Sequence, residues 1–450
     1  MLADALAGDA PATSTTQLLS FIDQVECSDR IREIIDVSPY LASDQDLRFR
    51  WQRLKNKLRE ANLYVSLNSI WIRPYVYPLI ANEYYAQTKQ RLYMSATVGD
   101  PGDLSRRLGV KRIVKVPVPA MYAEATSGRR FVVINRIEDA DIPKRLQAVI
   151  LAVLRTHPKS VWLCSSETEA RKLQKVVSKW LAGNGLGGHP TWLLTPLGDE
   201  VDQFKSSPTG HLFVAGRFDG MDFQADECRL VVLTTLPRAI NTQEEFISAY
   251  LRDSGFMLRR LNQRIVQALG RCNRSEDDFG VYVLADRRFA SHFGRDSNKE
   301  GIPRNVIAEI DMAQDLADAE DDVVVGKVER FLKGDFVEYD RQLAECVSDV
   351  PVQSAAVDTV DTVDTSEYEV TGWAALFESQ NYQKAAERFE LCWEVARVAN
   401  LREIAALYGW QLAKALYLQS LLNDPSARER SLQVLENAIQ REAGAHGSTE

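Results

Sequence analysis

From Arg91 to about Asp286 the sequence alternates short apolar runs, rich in β-branched residues, with longer stretches of helical periodicity. The apolar runs predict strands at Leu92–Ser95, Phe131–Asn135, Val161–Cys164, Trp192–Leu194, Leu212–Ala215, Leu230–Leu233 and Val281–Leu284. The stretches between them predict helices near Pro143–Arg155, Glu167–Leu181 and Gln243–Gly270. This alternation favours an α/β fold with a mostly parallel sheet and helices on both faces. Ligands are then expected at the carboxyl ends of the strands.

The flanking segments predict a different organisation. Residues 1 to about 90 have mainly helical spacing of apolar residues, with Pro74 and Pro78 breaking the last part into extended structure. Between Asp349 and Thr365 small and acidic residues dominate, which predicts a linker. Helical periodicity returns from Thr371 to Ile439 and is similar to a tetratricopeptide helix pair. This all-α region either caps the fold or docks a partner.

Composition narrows the class of protein. The net charge is −9, so any nucleic-acid binding must come from a local basic surface. The six cysteines have no paired spacing, which predicts reduced thiols and no zinc or iron–sulfur site. No segment is typical of a signal peptide or a membrane span, and a cytoplasmic location is expected.

The segment from Gln267 to Arg274 carries a phosphate-handling pattern. Gln267, Gly270, Arg271 and Arg274 stand at i, i+3, i+4 and i+7, so on a helix they share one face. An amide and two guanidinium groups on one stripe are suited to binding phosphate oxygens. The alternative is a surface helix with solvated arginines.

Three upstream segments place polar residues after predicted strands. The first predicted strand ends in Ser95-Ala96-Thr97, and the hydroxyls of Ser95 and Thr97 can link two sites by hydrogen bonds. Ser165, Ser166 and Thr168 stand where a helix begins, with Ser166 or Thr168 expected as the helix cap. The free backbone N–H groups of the helix start can in addition bind a nucleic-acid phosphate.

The third segment is a glycine-containing acidic turn. Arg217 precedes Asp219-Gly220-Met221-Asp222, where Gly220 allows a close backbone approach and Asp222 can accept hydrogen bonds. The alternative is an acidic surface turn without function.

In their order along the sequence, the four segments resemble the motifs of superfamily 2 DNA helicases, in the branch of the xeroderma pigmentosum group D and DinG helicases. The resemblance implies a RecA-like second motor domain. It implies arginine fingers at Arg271 and Arg274, and a water- or phosphate-positioning role for Gln267. The resemblance also implies nucleotide contacts at Asp219, Gly220, Asp222 and Gly270. It implies that Ser95, Ala96 and Thr97 couple the nucleotide site to the nucleic-acid path. It implies nucleic-acid contacts at Ser165, Ser166, Thr168 and Arg217.

The first half of the family's ATP site is missing from the sequence. No Gly-x-x-x-x-Gly-Lys-Ser/Thr loop and no Asp-Glu-Ala-His box occur. ATP with magnesium is therefore expected only together with a complementing first motor domain, and no iron–sulfur cluster is expected in this chain. The first residues, Met1-Leu-Ala-Asp-Ala-Leu, resemble the family's sequence just after the acidic box, which predicts the downstream portion of a split or truncated helicase.

On this interpretation the chain has four consecutive parts. Residues 1–98 are the end of a first motor domain, 99–345 the second motor domain, 346–367 an acidic linker, and 368–442 the helical domain. The expected partners are nucleic acid (DNA rather than RNA), a first motor domain, and a protein partner at the helical domain, with no membrane. The alternative function is a non-catalytic nucleic-acid-binding or assembly module that retains the helicase fold.

Overall fold

The computed structural model describes residues 16–66, 69–77, 83–94, 101–110, 113–114, 116, 128–136, 144–194, 199–216, 221–237, 241–251, 255–273, 277–351, 364–422 and 424–442. The chain divides into two compact units. The first contains Met1–Val116, Asn241–Met257 and Asp358–Glu450, and the second contains Pro117–Ile240 and Leu258–Val357. The first unit therefore unites N-terminal and C-terminal segments that the sequence-based division treated as separate.

The strands form two sheets. In the first unit, β1 (Gln17–Leu18), β2 (Asn62–Val65) and β3 (Ile70–Arg73) pair antiparallel in that order. In the second unit lie β4 (Arg129–Ile134), β5 (Lys159–Cys164), β6 (Thr191–Leu193), β7 (Gly210–Ala215), β8 (Leu230–Leu233) and β9 (Phe279–Leu284). Their order across the sheet is β4-β9-β8-β5-β7-β6, and every neighbouring pair is parallel.

The helices follow the chain. They are α1 (Phe21–Asp36), α2 (Pro39–Ser43), α3 (Gln45–Leu54), α4 (Glu83–Gln87), α5 (Pro101–Leu108), α6 (Lys144–Leu154), α7 (Glu167–Gly183), α8 (Glu200–Ser206), α9 (Thr242–Tyr250), α10 (Phe256–Leu269), α11 (Arg288–Phe293), α12 (Arg304–Leu316), α13 (Asp321–Leu332), α14 (Val337–Asp349), α15 (Ser366–Trp373), α16 (Tyr382–Val398), α17 (Arg402–Ser420) and α18 (Pro425–Glu442). Short 3₁₀ turns at Ala225–Glu227 and Asp296–Lys299 and a π-helical turn at Ala374–Glu378 complete the elements. Among the described residues, no helix combines the length and apolarity needed to cross a membrane.

The six-stranded sheet has helices on both faces. Successive residues of a strand point to opposite faces, and here Val132 and Leu163 belong to one buried cluster while Val133 and Trp162 belong to the other. Helix α10 packs on the first face, and α6 and α7 pack on the second. Strands buried on both faces are typical of parallel sheets, so the predicted RecA-like α/β class is confirmed.

Three predicted elements differ from the structure. Residues 92–94 form no strand: Leu92 and Met94 are exposed, and no described strand pairs with them, because an isolated apolar run does not make a sheet. The helix predicted over residues 243–270 is two helices, α9 and α10, because Gly255 between them adopts a left-handed φ of 61°. The N-terminal segment, predicted as mainly helical, also contains the β1–β2–β3 sheet.

The helical C-terminal region is confirmed, and its helices share one core with the N-terminal segment. Phe21, Ile247, Trp373 and Phe389 belong to the same buried cluster of the first unit. Helix α14 continues to Asp349 and α15 begins at Ser366, so both helices extend slightly into the predicted linker of residues 346–367. Residues 352–363 of that linker lie outside the described residues.

Candidate nucleotide and nucleic-acid site

The phosphate-handling segment is a helix end followed by a turn. Helix α10 ends at Leu269, and residues 270–273 form a segment that we call the arginine turn. The single helical stripe predicted for these residues is therefore wrong, because Gly270, a poor helix former, ends the helix before Arg271. Gln267 is half-buried in the last turn of α10, and Arg274 lies outside the described residues.

Arg271 points into the protein and contacts the acidic turn. It is 4% exposed, and its Nη1 donates to the carbonyl of Met221. In return, the backbone N–H of Phe223 donates to the carbonyl of Arg271 over 3.0 Å. Two hydrogen bonds therefore connect the arginine turn to the segment around Asp222, which is half-buried. Two motifs separated by about fifty residues thus form one structural unit.

Several predicted site residues have no described placement. Arg217, Asp219 and Gly220 of the acidic turn lie outside the described residues, as do Ser95, Ala96 and Thr97. The nucleotide and coupling roles of these residues stay predictions. Within the described ranges, no group of three or more His, Cys, Asp or Glu side chains is placed to hold a metal ion.

The start of α7 confirms the helix-cap interpretation. Ser166 Oγ accepts a hydrogen bond from the backbone N–H of Glu169 over 3.2 Å. Glu169 Oε2 accepts from both the N–H and the hydroxyl of Ser165, over 2.8 and 2.6 Å. Thr168 is exposed. The donors of Ser165 are thus engaged by a carboxylate of the same helix, and their contact with a nucleic-acid phosphate stays a prediction.

Glu169 also reaches the end of a neighbouring strand. Thr234, directly after β8, donates its hydroxyl to Glu169 Oε1 over 2.8 Å and to the carbonyl of Leu163 over 2.9 Å. Sequence reasoning missed Glu169, although the Ser166-x-x-Glu169 spacing is the signature of a capping box. This carboxylate ties the loops after β5 and β8 at the edge where an α/β sheet binds ligands.

A second carboxylate lies after β9 at the same edge. Asp286 accepts from the backbone N–H of Leu236 over 2.9 Å and from Arg288 Nε over 2.7 Å. Burial raises the pKa of Asp286, but the hydrogen bonds from Arg288 and Leu236 outweigh it and leave the pKa below its ordinary value. Asp286 is therefore an acceptor that fixes the loop after β8.

A buried ion pair beneath the arginine turn was also missed. Arg130 and Glu309 are 4% and 2% exposed, and Arg130 Nε donates to the carbonyl of Leu269 over 2.8 Å. Burial raises the pKa of Glu309, and the charge of Arg130 opposes that rise. The only signal in the sequence was a charged residue beside an apolar strand.

Known proteins resemble this part of the chain. Residues 153–303 match the family model described as helicase C-terminal domain. A probable ATP-dependent helicase of Methanocaldococcus jannaschii is 31% identical over 123 residues, 23% of this chain and 19% of that protein. The ATP-dependent DNA helicase DinG of Photobacterium profundum is 33% identical over 96 residues, 19% of this chain and 14% of that protein.

A third relative is the general transcription and DNA repair factor IIH helicase subunit XPD/RAD3 of Saccharomyces cerevisiae. It is 28% identical over 127 residues, 26% of this chain and 15% of that protein. The matched region thus spans less than a fifth of each relative's length. Residues 153–303 are a helicase C-terminal domain related to those of the DinG and XPD helicases, and they include both the acidic turn and the arginine turn.

Proposed function

We propose that this chain is the C-terminal motor half of an ATP-dependent DNA helicase or translocase, and that it contributes to a composite ATP site. The observation that carries the proposal is the junction of the arginine turn with the acidic turn, made by Arg271, Met221 and Phe223. A junction of this kind lets a change at one motif move the other, as a motor requires. The three relatives are DNA or ATP-dependent helicases, which supports nucleic acid and ATP as ligands.

Each candidate residue has a distinct role in this proposal. Arg274 neutralises charge on the transferred phosphate, and Gln267 orients water or phosphate. Arg271 takes part as the second arginine finger from a buried position, where its bond to Met221 fixes the acidic turn. Asp219, Gly220, Asp222 and Gly270 contact the nucleotide.

Coupling to nucleic acid uses the other candidate residues. Ser95, Ala96 and Thr97 connect the nucleotide site with the nucleic-acid path. Ser165, Ser166, Thr168 and Arg217 contact the nucleic-acid backbone. The ligands of the magnesium ion and the cradle for the β- and γ-phosphates come from a first motor domain, because this sequence has no Walker loop and no acidic box.

The test is a complementation assay. The purified chain is mixed with a candidate first motor domain that carries a Walker loop and with single-stranded DNA, and ATP hydrolysis is measured. Arg274→Ala should reduce the stimulated rate by about 10³–10⁵, the usual contribution of an arginine finger. Arg341→Ala is the control, because Arg341 is exposed and pairs with Glu345 four residues on. If the Arg274→Ala variant is stimulated as strongly as the wild type, or if no partner stimulates ATP hydrolysis by the wild type, the result would favour the non-catalytic module.

A further inference from the structure

Arg130, on β4, closes the end of the helix that carries the arginine turn. Its Nε donates to the carbonyl of Leu269, the last residue of α10, over 2.8 Å. The final carbonyls of a helix have no partner within it, and a cation beside them is favourable. Arg130 therefore supplies the C-terminal cap directly before Gly270.

Glu309, on α12, holds Arg130 in that position. Arg130 Nη1 lies 3.1 Å from Glu309 Oε2, and the backbone N–H of Arg130 donates to Oε1 over 3.2 Å. The hydroxyl of Tyr339 donates to the carbonyl of Arg130 over 2.7 Å. Since a buried ion pair is often no more stabilising than apolar residues of similar volume, stability alone does not account for this pair. An apolar pair could not reproduce the hydrogen bond to Leu269.

The far end of the arginine turn is held by the strands β4 and β9. The backbone N–H of Cys272 donates to the hydroxyl of Tyr282 over 3.1 Å, and that hydroxyl donates to Asn273 Oδ1. Asn273 Nδ2 donates to the carbonyl of Arg129 over 2.7 Å. The side chain of Arg130 thus binds the start of the turn, and the backbone carbonyl of Arg129 binds its end.

We propose that Arg130 and Glu309 are positioning residues for the arginine turn, and through it for Arg271 and Arg274. The pair sets where the turn leaves α10, so that Arg271 reaches Met221. The functional part of this inference rests on the proposed ATP site, whereas the positional part is testable without it.

The discriminating variant is the double substitution Arg130→Met with Glu309→Met in the full chain. It replaces the ion pair by apolar side chains of similar length, so the fold is expected to persist, while the cap on Leu269 is lost. Amide hydrogen exchange, measured by mass spectrometry, should become about tenfold faster in residues 270–273 and remain unchanged in β5 and β8.

The neighbouring residue provides a matched control. The side chain of Arg129, on the same strand, pairs with Asp340 of α14 over 2.8 Å. It also lies over the ring of Phe336, the residue directly before α14. Arg129→Met keeps the Arg129 carbonyl that accepts from Asn273, so exchange in residues 270–273 should remain unchanged. Unchanged exchange in the folded double variant, or an equal acceleration across the whole sheet, would overturn the proposal.

Arg130→Lys covers the case in which the double variant does not fold. A single ammonium keeps the charge beside Glu309 but lacks the guanidinium fork that reaches both Glu309 and Leu269. Exchange in residues 270–273 should then rise by a few-fold, and unchanged exchange would again overturn the inference.

A kinetic measurement separates positioning from stability. In the complemented ATPase assay, the double variant should lower kcat about tenfold with KM unchanged, because the arginines act on the transition state. Equal kcat values for the folded double variant and the wild type would refute the functional part. If the wild type hydrolyses no ATP with any partner, the proposed function fails, while the exchange experiment still decides the positional part.

Discussion

Replacement of Lys414 by Met should make the stability of the first unit much less dependent on pH. Lys414, on α17, is fully buried. Its Nζ donates to the carbonyl of Ala61 and lies 3.4 Å from both Gln24 Oε1 and Asn62 Oδ1. These acceptors belong to the N-terminal segment, so the amine connects the C-terminal helices with it.

The magnitude depends on the pKa of this amine. Burial lowers the pKa of Lys414 from 10.5 to about 7, and the nearby charge of Glu60 opposes that shift only in part. Above the folded-state pKa the unfolded chain binds a proton that the folded chain lacks, so the free energy of unfolding rises with pH. The slope is about 1.4 kcal/mol per pH unit between the two pKa values. From pH 6 to pH 9 the free energy of unfolding of the wild type should rise by roughly 2.5 kcal/mol, and this added stability is lost as the pH falls through 7.

Urea unfolding at pH 6, 7, 8 and 9 measures this effect. Lys414→Met should be more stable than the wild type at pH 6, because the charged amine is the costly form. That advantage should shrink by roughly 2.5 kcal/mol by pH 9. Lys384→Met is the matched control, since Lys384 is an exposed lysine on the neighbouring helix α16. A difference between wild type and Lys414→Met that stays constant from pH 6 to pH 9 would refute the reasoning.

Two further predictions concern the second unit. Glu169→Gln should lower the free energy of unfolding by about 2 kcal/mol, since it weakens charge-assisted hydrogen bonds from Ser165 and Thr234. The control is Glu167→Gln, which should change the free energy of unfolding little because Glu167 forms an exposed pair with Arg171. Equal effects of the two substitutions in urea unfolding would contradict the prediction. Burial, reinforced by the charge of His189, lowers the pKa of His211 to about 3, so stability should fall as the pH drops from 6.5 towards 3. His211→Gln should flatten that acid slope in urea titrations, and an unchanged slope would disprove the assignment.

The strands of the parallel sheet could be predicted from sequence because strands buried on both faces consist of short, continuous apolar runs. Residues such as Val132 and Leu163 stand in short apolar runs bounded by turn residues, and each predicted strand from β4 to β9 lies within two residues of its observed position. The helix predicted to end at Gly270 ends one residue earlier, at Leu269, whereas the helical stripe that placed Arg271 on the same helix as Gln267 was wrong because Gly270 is a poor helix former. The strand predicted at Leu92–Ser95 was wrong at residues 92–94, since an apolar run does not show whether a partner strand exists.

The residues that hold the candidate site together could not be predicted for a different reason. Arg130 meets Glu309 across 179 positions of sequence. The same holds outside the site, where Lys414 meets Ala61 across 353 positions. Arg130 stands at the start of an apolar run, whereas Glu309 and Lys414 interrupt apolar stretches of a helix, and none of these local patterns shows which distant residue the charged side chain meets. Glu169 is the exception, because its capping-box spacing with Ser166 is local and could have been read directly.

The position of α9 changes how the C-terminal helices should be understood. Helix α9 stands in the sequence between β8 and α10, inside the helicase C-terminal domain match, yet it belongs to the first unit. There Ile247 shares a buried cluster with Trp373 and Phe389, and Gln243 Nε2 donates to the hydroxyl of Tyr64 over 3.0 Å. The C-terminal helices therefore complete the core around a segment of the helicase domain. A partner that docks on them can use only their outward faces, because the inward faces already bury residues of this chain.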